Sequence, residues 1–356
     1  MRGVDEQQRG IFSYVTLEQR VPQDHAVRRI RELVDGALER MDVELDKLYA
    51  KKGRSWIAPE RLLRAQMLMV LYSIRSERQL MERLNDNLLS RWFVGLEMDD
   101  AVWDVTVFTR NRERLIAGQV SQQLLLAVLA EAYEQQLLSE EHFTVDGTLI
   151  QAWARRRSFK AKDDPPDRGT GARGRKRLRD THESTPDPEA RLYRKSSSGA
   201  VMPAYLDHVI TENRNGLIVA AVATQAGNAA ERQTGLEMLK QVRRRGAITL
   251  GADKSYQEEG FVGALRQAAV VPHVAEYKPN AKWLNWLTEA ERSAPGMALS
   301  QRKRKPVEKS FGWLKQDRLR QVKLRGLKRI DWLFRFAAAA HNLLRLSKLV
   351  PIPAAA

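Results

Sequence analysis

No cysteine occurs among the 356 residues. That excludes disulfide staples and thiolate-bound metal centres, so any resident metal must be held by nitrogen or oxygen. Histidine is scarce as well. The six are scattered, and the absence of a His-Glu-x-x-His spacing argues against a histidine-bound zinc hydrolase. Long apolar runs are missing. The most apolar stretch, Gln66 to Tyr72, lies between Arg64 and Arg75 and is too short to span a bilayer. Met1 to Glu6 leads into no apolar core, so no secretory signal is expected, and the expected compartment is a bacterial-type cytoplasm, at the nucleoid. Acids are the minority charge. Sixty Lys and Arg stand against 44 Asp and Glu, a net charge of +16. Such a surplus favours a polyanionic partner, and nucleic acid comes before a membrane surface, which is not expected as a partner.

Helical periodicity fills an all-helical N-terminal domain, residues 1–140. Asp24 is placed to cap a helix running to about Tyr49, and Pro59-Glu60 opens a second. A shorter helix over 77–86 follows Ser76, Leu88 to Val94 packs the bundle, and helices near 106–115 and 119–138 complete it. Arg75, Arg78, Arg83, Arg110, Arg112 and Arg114 are either phosphate contacts or solvated helix faces.

A second domain, 141–350, alternates strands and helices. It holds a strand within the stretch His142 to Ile150, carrying Asp146 up to its end, and a hairpin turning at Asn213 to Gly216. A helix follows, capped by Asn228, with Arg243-Arg244-Arg245 in its last turn and Gly246 as its stop. Next come a strand ending at Asp253, a helix near 257–268, a short strand at Val270-Val271, an acidic helix from Val307 to Lys315 and a final helix near 328–347. That order predicts an α/β fold with a ribonuclease H-like mixed sheet flanked by helices, its first and fourth strands side by side. Pro306 either starts the acidic helix or bends it. Residues 155–203, basic and rich in Pro, Gly and Ser, are expected to be a mobile insertion. Within it Gly169 to Gly174 matches a dinucleotide-binding pattern in form only, since it follows no strand and opens no apolar helix. Residues 276–300 resist assignment, and Trp283 and Trp286, near Lys278 and Lys282, are either base-stacking or packing residues.

Three acids occupy comparable settings. Asp146 rides a strand taken to end at Gly147, Asp253 closes the apolar run 247–252, and Glu308 opens the acidic helix. Each alone reads better as a capped turn or a surface ion pair than as a ligand. Two strand-borne aspartates and a helix-borne glutamate are what an oxygen-only Mg²⁺ or Mn²⁺ site needs.

Phe143 to Thr148, Gly251-Ala252-Asp253-Lys254 and Glu308 to Lys315 resemble the three acidic motifs of bacterial insertion-sequence DDE transposases, most nearly insertion-sequence family five. Leu17 to Pro22, Tyr72 to Arg78, Arg91 to Leu96 and Tyr193 to Ser196 extend the resemblance nearly end to end. That family's Tyr-x₂-Arg-x₃-Glu-x₆-Lys signature is matched by Arg304, Glu308 and Lys315, with Gln301 in the tyrosine position. Ser255 stands where the family has glycine after Asp-Lys. The resemblance implies an enzyme that cuts the ends of an insertion sequence and joins the freed 3′-hydroxyl to target DNA. It implies two Mg²⁺ or Mn²⁺ ions on Asp146, Asp253 and Glu308, with Arg304, Lys315, Lys254 and Gln301 on the DNA. The partners implied are terminal inverted repeats, target DNA and a second copy of the chain in a DNA-bound homodimer. Two other functions stay open, a metal-dependent nuclease without strand transfer and a non-catalytic copy that only binds DNA.

Overall fold

Apolar residues at every third and fourth position fold the N-terminal region into helices in the computed structural model, which describes residues 15–49, 57–161, 182–194, 199–227, 229–242, 246–278 and 284–350. These are α1 (Leu17–Arg20), α2 (Ala26–Glu39), α3 (Asp42–Asp46), α4 (Pro59–Leu71), α5 (Glu77–Asp86), α6 (Leu88–Val94), α7 (Val105–Ala117) and α8 (Val120–Glu134). Side-chain oxygens of Ser76, Asn87 and Asp104 cap α5, α6 and α7. The helix expected from Asp24 to Tyr49 is two helices. Its cap is His25, whose Nδ1 accepts the Val27 N–H, because Asp24 lies one residue too early. At the break Arg40 reaches across to Glu131 and Glu134 of α8. Among the described residues no single helix is long and apolar enough to cross a membrane, and α7 with α8 pass only as a pair bent by 69°.

The strands are β1 (His142–Gln151), β2 (Phe159–Ala161), β3 (His182–Ser184), β4 (Arg191–Tyr193), β5 (Met202–Glu212), β6 (Ile218–Gln225), β7 (Ile248–Ala252) and β8 (Val270–Val274). The main sheet runs β4-β5-β1-β7-β8, with β6 also paired to β5. β1 pairs antiparallel with β5 and parallel with β7, which pairs parallel with β8. The helices of this half are α9 (Ala230–Leu239), α10 (Glu259–Gln267), α11 (Glu289–Arg292), α12 (Met297–Arg304), α13 (Pro306–Leu314) and α14 (Leu327–Leu349). This is the ribonuclease H-like mixed sheet flanked by helices.

Alternation along the strands separates two cores. Phe143 and Val145 of β1 join Ile248, Leu250 and Ala252 of β7 under α9 and α10. Ile150 and Ala152 face the other way and belong to one continuous core with α14 and the N-terminal helices, from Leu62 and Phe93 to Phe334 and Phe336. The helical region and the sheet therefore share a core through α14. That helix also closes the edge of β6. Asn342 Oδ1 accepts the Ile218 N–H at 2.9 Å, its Nδ2 donates to Ile218 O at 2.8 Å, and Asp331 Oδ1 accepts the Ala223 N–H at 2.9 Å.

Several expectations need correction. β1 does not end at Asp146 but runs on through Gly147 to Gln151, because β5 pairs with it from Phe143 to Gln151. α9 stops at Leu239, well short of Gly246, whose φ is +65°; Asn228 and Arg243 to Arg245 lie outside the described residues. The stretch 155–203 is partly regular. β2 pairs with β3 and β4 with β5, while residues 162–181, with Gly169 to Gly174, and 195–198 lie outside the described residues. Within 276–300, Trp286 packs against the core beneath α10, whereas Lys282 and Trp283 lie outside the described residues.

Replacing Asn342 by Leu strips both buried main-chain groups of Ile218 of their partner. Stability should fall by about 2–4 kcal/mol, read by urea unfolding, since an orphaned buried polar group costs about 1–3 kcal/mol. An unchanged midpoint would show that α14 is held by apolar packing alone.

Candidate active site

The centre is built by strand register. Thr144 of β1 pairs with Gly251 of β7, and the same register carried on by two residues sets Asp146 level with Asp253. Asp253 continues the extended path of β7, with φ −79° and ψ 175°. Because Val145 and Ala252 point under α9 and α10, Asp146 and Asp253 point to the opposite face. α12 covers that face. Ser300 Oγ lies 3.0 Å, and Thr144 Oγ1 3.2 Å, from where a Cβ on Gly251 would stand, so glycine is what lets the helix settle there. Gln301 Nε2 donates to Ala252 O at 3.3 Å and to His273 O, seating α12 across the ends of β7 and β8.

Pro306 starts a new helix. It takes the first position of α13, where its missing N–H costs nothing, and α12 ends before it at Arg304. α13 turns Val307, Ser310, Phe311 and Leu314 inward and leaves Glu308 exposed in its first turn. Asp146 and Asp253 are half-buried. Asp146 Oδ1 accepts the Gly147 N–H at 2.8 Å; Asp253 Oδ1 accepts the Ser255 N–H at 2.8 Å and the Ser255 hydroxyl. Ser255 thus fixes one Asp253 oxygen.

Two further side chains enter from the face of α9, and sequence reading missed both. Tyr256, 1% exposed, has a hydroxyl with no hydrogen-bond partner. Burial first, then the charges of Glu231, Asp146 and Asp253, hold its pKa well above the usual tyrosine value. Glu231 stands in the first turn of α9. It lies over Gly147, its Oε1 2.9 Å from where a Cβ on that glycine would stand. Nothing in the local sequence marks either residue, since only the packing of α9 on β1 brings them in.

Among the described residues no three His, Asp or Glu side chains are already gathered at metal-ligand spacing. Asp146 and Asp253 are neighbours by register, and Glu308 stands on a helix on their side of the sheet. The donors are all carboxylate oxygens, which in kind suits Mg²⁺ or Mn²⁺.

The expected DNA contacts divide. Lys254 is exposed, as are Arg302, Lys303, Lys305 and Lys309. Gln301 spends its amide on main-chain carbonyls, and Arg304 Nε donates to Gln301 Oε1 at 3.4 Å. Lys315 lies half-buried in the field of Asp207 on β5. Asp207 is fully buried with neither oxygen hydrogen-bonded; burial first, then the charge of Asp331, push its pKa well up, and Lys315 opposes them. The six N-terminal arginines divide too. Arg83 stacks 4.8 Å over Tyr72, Arg114 4.8 Å over Tyr49, and Arg112 pairs with Glu77. Arg75, Arg78 and Arg110 are exposed. Arg75 and Arg78 line a cleft of about 420 Å³ with Lys323, Trp332 and Leu333, between the helical region and the segment leading to α14.

A family model described as a transposase DDE domain matches residues 139–343, more than half of the chain. The chain belongs to that family: it is a DDE transposase of insertion-sequence type, an enzyme of DNA cleavage and strand transfer. A second model, described as a transposase domain, matches residues 15–114. Members of the DDE family generally use divalent metals. No curated protein matches the chain. Solved structures similar to it include a piggyBac transposase synaptic complex with hairpin DNA, at 8% identity and a TM-score of 0.44, covering 91% of this chain and 74% of that one. The Mos1 strand transfer complex is 12% identical with a TM-score of 0.21, covering 83% and 97%. The Mos1 mariner paired end complex with Mn is 14% identical with a TM-score of 0.21, covering 82% and 93%.

The Asp207 carboxyl holds its proton more tightly folded than unfolded, so its ionisation costs stability as pH rises above the unfolded value of about 3.9. Asp207→Asn should therefore be more stable than the parent at pH 7, the difference closing as pH falls below about 4. Denaturant midpoints across that range check it, and an equal difference at both ends would contradict it.

Proposed function

We propose that this chain cuts the ends of an insertion sequence of family-five type and joins the freed 3′-hydroxyl to target DNA, with Asp146, Asp253 and Glu308 as its catalytic carboxylates. The observation that carries this reading is the β1–β7 register, which sets Asp146 level with Asp253 on the face where α12 and α13 lie. Two divalent ions, when bound, neutralise charge on the attacking and leaving oxygens of the phosphodiester. The chain's own residues hold and orient. Ser255 ties down one oxygen of Asp253 and leaves the other for the site. Gln301 seats the helix that leads to Glu308, and Arg304 leans on Gln301. Lys254, with Arg302, Lys303, Lys305 and Lys309, forms an exposed basic rim that attracts the phosphates on either side of the cut. Water is the nucleophile for end cleavage and the terminal 3′-hydroxyl for joining. Two ends, each held by one copy of the chain, meet in a DNA-bound homodimer.

Asp146→Asn, Asp253→Asn and Glu308→Gln each keep the shape of the side chain and remove a negative ligand. Each should lower Mg²⁺-dependent cleavage of a labelled insertion-sequence end by roughly a thousandfold, the rate equivalent of several kcal/mol of charge stabilisation. DNA affinity should stay near the parent's. Parental cleavage by any one of them removes that residue from the site. Cleavage without joining would make the chain a nuclease, and no cleavage by the parent would leave a DNA-binding protein.

The basic cleft yields a separate expectation. Arg75→Ala, Arg78→Ala and Lys323→Ala should each weaken DNA binding and reduce the slope of log affinity against log salt by about one. A slope unchanged in all three would take the cleft off the DNA path.

A further inference from the structure

We propose that Glu231 is a fourth carboxylate of the catalytic centre, facing the same cation as Asp146 and Asp253 from the opposite side of the sheet to Glu308. This rests on the reading that Asp146 and Asp253 hold that cation.

The β1–β7 ladder runs only as far as Thr144 and Gly251, so the two aspartates stand just beyond the last paired residues. There the strands no longer close the sheet between its two faces by pairing. Gly147, the residue after Asp146, is overlain by Glu231, with Oε1, Cγ and Cδ at 2.9, 3.1 and 3.2 Å from the place of a missing Cβ. Any other residue at 147 would push this carboxylate away.

The first turn of α9 is also tied to the turn that follows Asp253. Arg232 Nη1 donates to Ser255 O at 3.2 Å and its Nε pairs with Glu258 at 2.6 Å. One helical turn on, a Cβ at Gly235 would meet Val145 Cγ2 at 3.3 Å and Tyr256 Cε1 at 3.7 Å, which shows how closely α9 lies against both. Glu231 is thereby carried to the aspartates by two independent anchors, one on β1 and one beyond β7.

Glu231, Asp146 and Asp253 all bear on the Tyr256 hydroxyl, and like charges so placed repel unless something positive or a donor offsets them. Beside the Gly147 and Ser255 donors already on the aspartates lies the Tyr256 hydroxyl, 1% exposed, without a partner, and in the electrostatic field of Glu231, Asp146 and Asp253. A phenolic hydrogen serves only one oxygen, and a hard cation is the partner that oxygen ligands of this kind suit. Tyr256 acts as a positioning residue from beneath.

Terbium(III) is the probe. It seeks the same oxygen ligands as Mg²⁺, and its emission is sensitised by a nearby phenol ring. Saturable emission is expected from the parent and lost in Asp146→Asn and Asp253→Asn. Glu231→Gln should raise the half-saturating terbium about tenfold, as loss of a supporting group at a metal site does. Gly147→Ala, which keeps every carboxylate, should move it the same way. Without metal, Glu231→Gln should unfold at a higher temperature than the parent through relief of repulsion, and gain less on adding Mn²⁺. A merely structural glutamate would do the reverse, lowering the midpoint without metal and leaving the Mn²⁺ increment intact. A folded Glu231→Gln protein with parental half-saturation overturns the proposal. If Asp146→Asn and Asp253→Asn also keep parental emission, the reading beneath it fails instead.

Discussion

Parallel pairing of β1 with β7 is the constraint on which the rest depends. Hydrogen bonds fix the level of Thr144 against Gly251, and the pleat fixes which face each later residue takes. A slip of one residue would turn Asp253 under α10 while Asp146 stayed opposite. The register is guarded from both sides. Phe143, Val145, Leu250 and Ala252 are buried on one face, and Ser300 closes on Gly251 at the other. Carboxylates 107 positions apart in the chain become neighbours because apolar residues beside them have only one face to bury.

α14 answers a different demand. β6 would present an open sheet edge, and the sheet face below α14 would present apolar surface to water. One helix meets both needs, with Asn342 and Asp331 on the strand's main-chain groups and its apolar residues between the sheet and the N-terminal helices. The helical region is therefore built onto the catalytic half, and the cleft with Arg75, Arg78 and Lys323 lies at their junction. Charge follows a similar division. Lys254, Arg302, Lys303, Lys305 and Lys309 stay exposed, while Arg83, Arg112 and Arg114 are spent on stacking and ion pairing. A residue's sign brings it to a polyanion only if its side chain is not already engaged.

The chain by itself determined much of this. Strand and helix periodicity set out the element order, while Pro306 left a helix start and a bend both open until the structure put it at the first position of α13. Asp146, Asp253 and Glu308 stood out because acids at the ends of apolar runs need a reason. Asp24, the uninterrupted first helix and the early end of β1 were misjudged. Local propensity does not say which neighbour a strand will find, and β5 carried β1 on to Gln151. What only the tertiary structure decided was the fate of side chains whose partners are distant in sequence. Gln301 turned to the carbonyls of Ala252 and His273, Lys315 to the field of Asp207, and Glu231 to Gly147. Hydrogen bonds and charge pairs act over a few ångströms of space, and only folding converts separation along the chain into that distance.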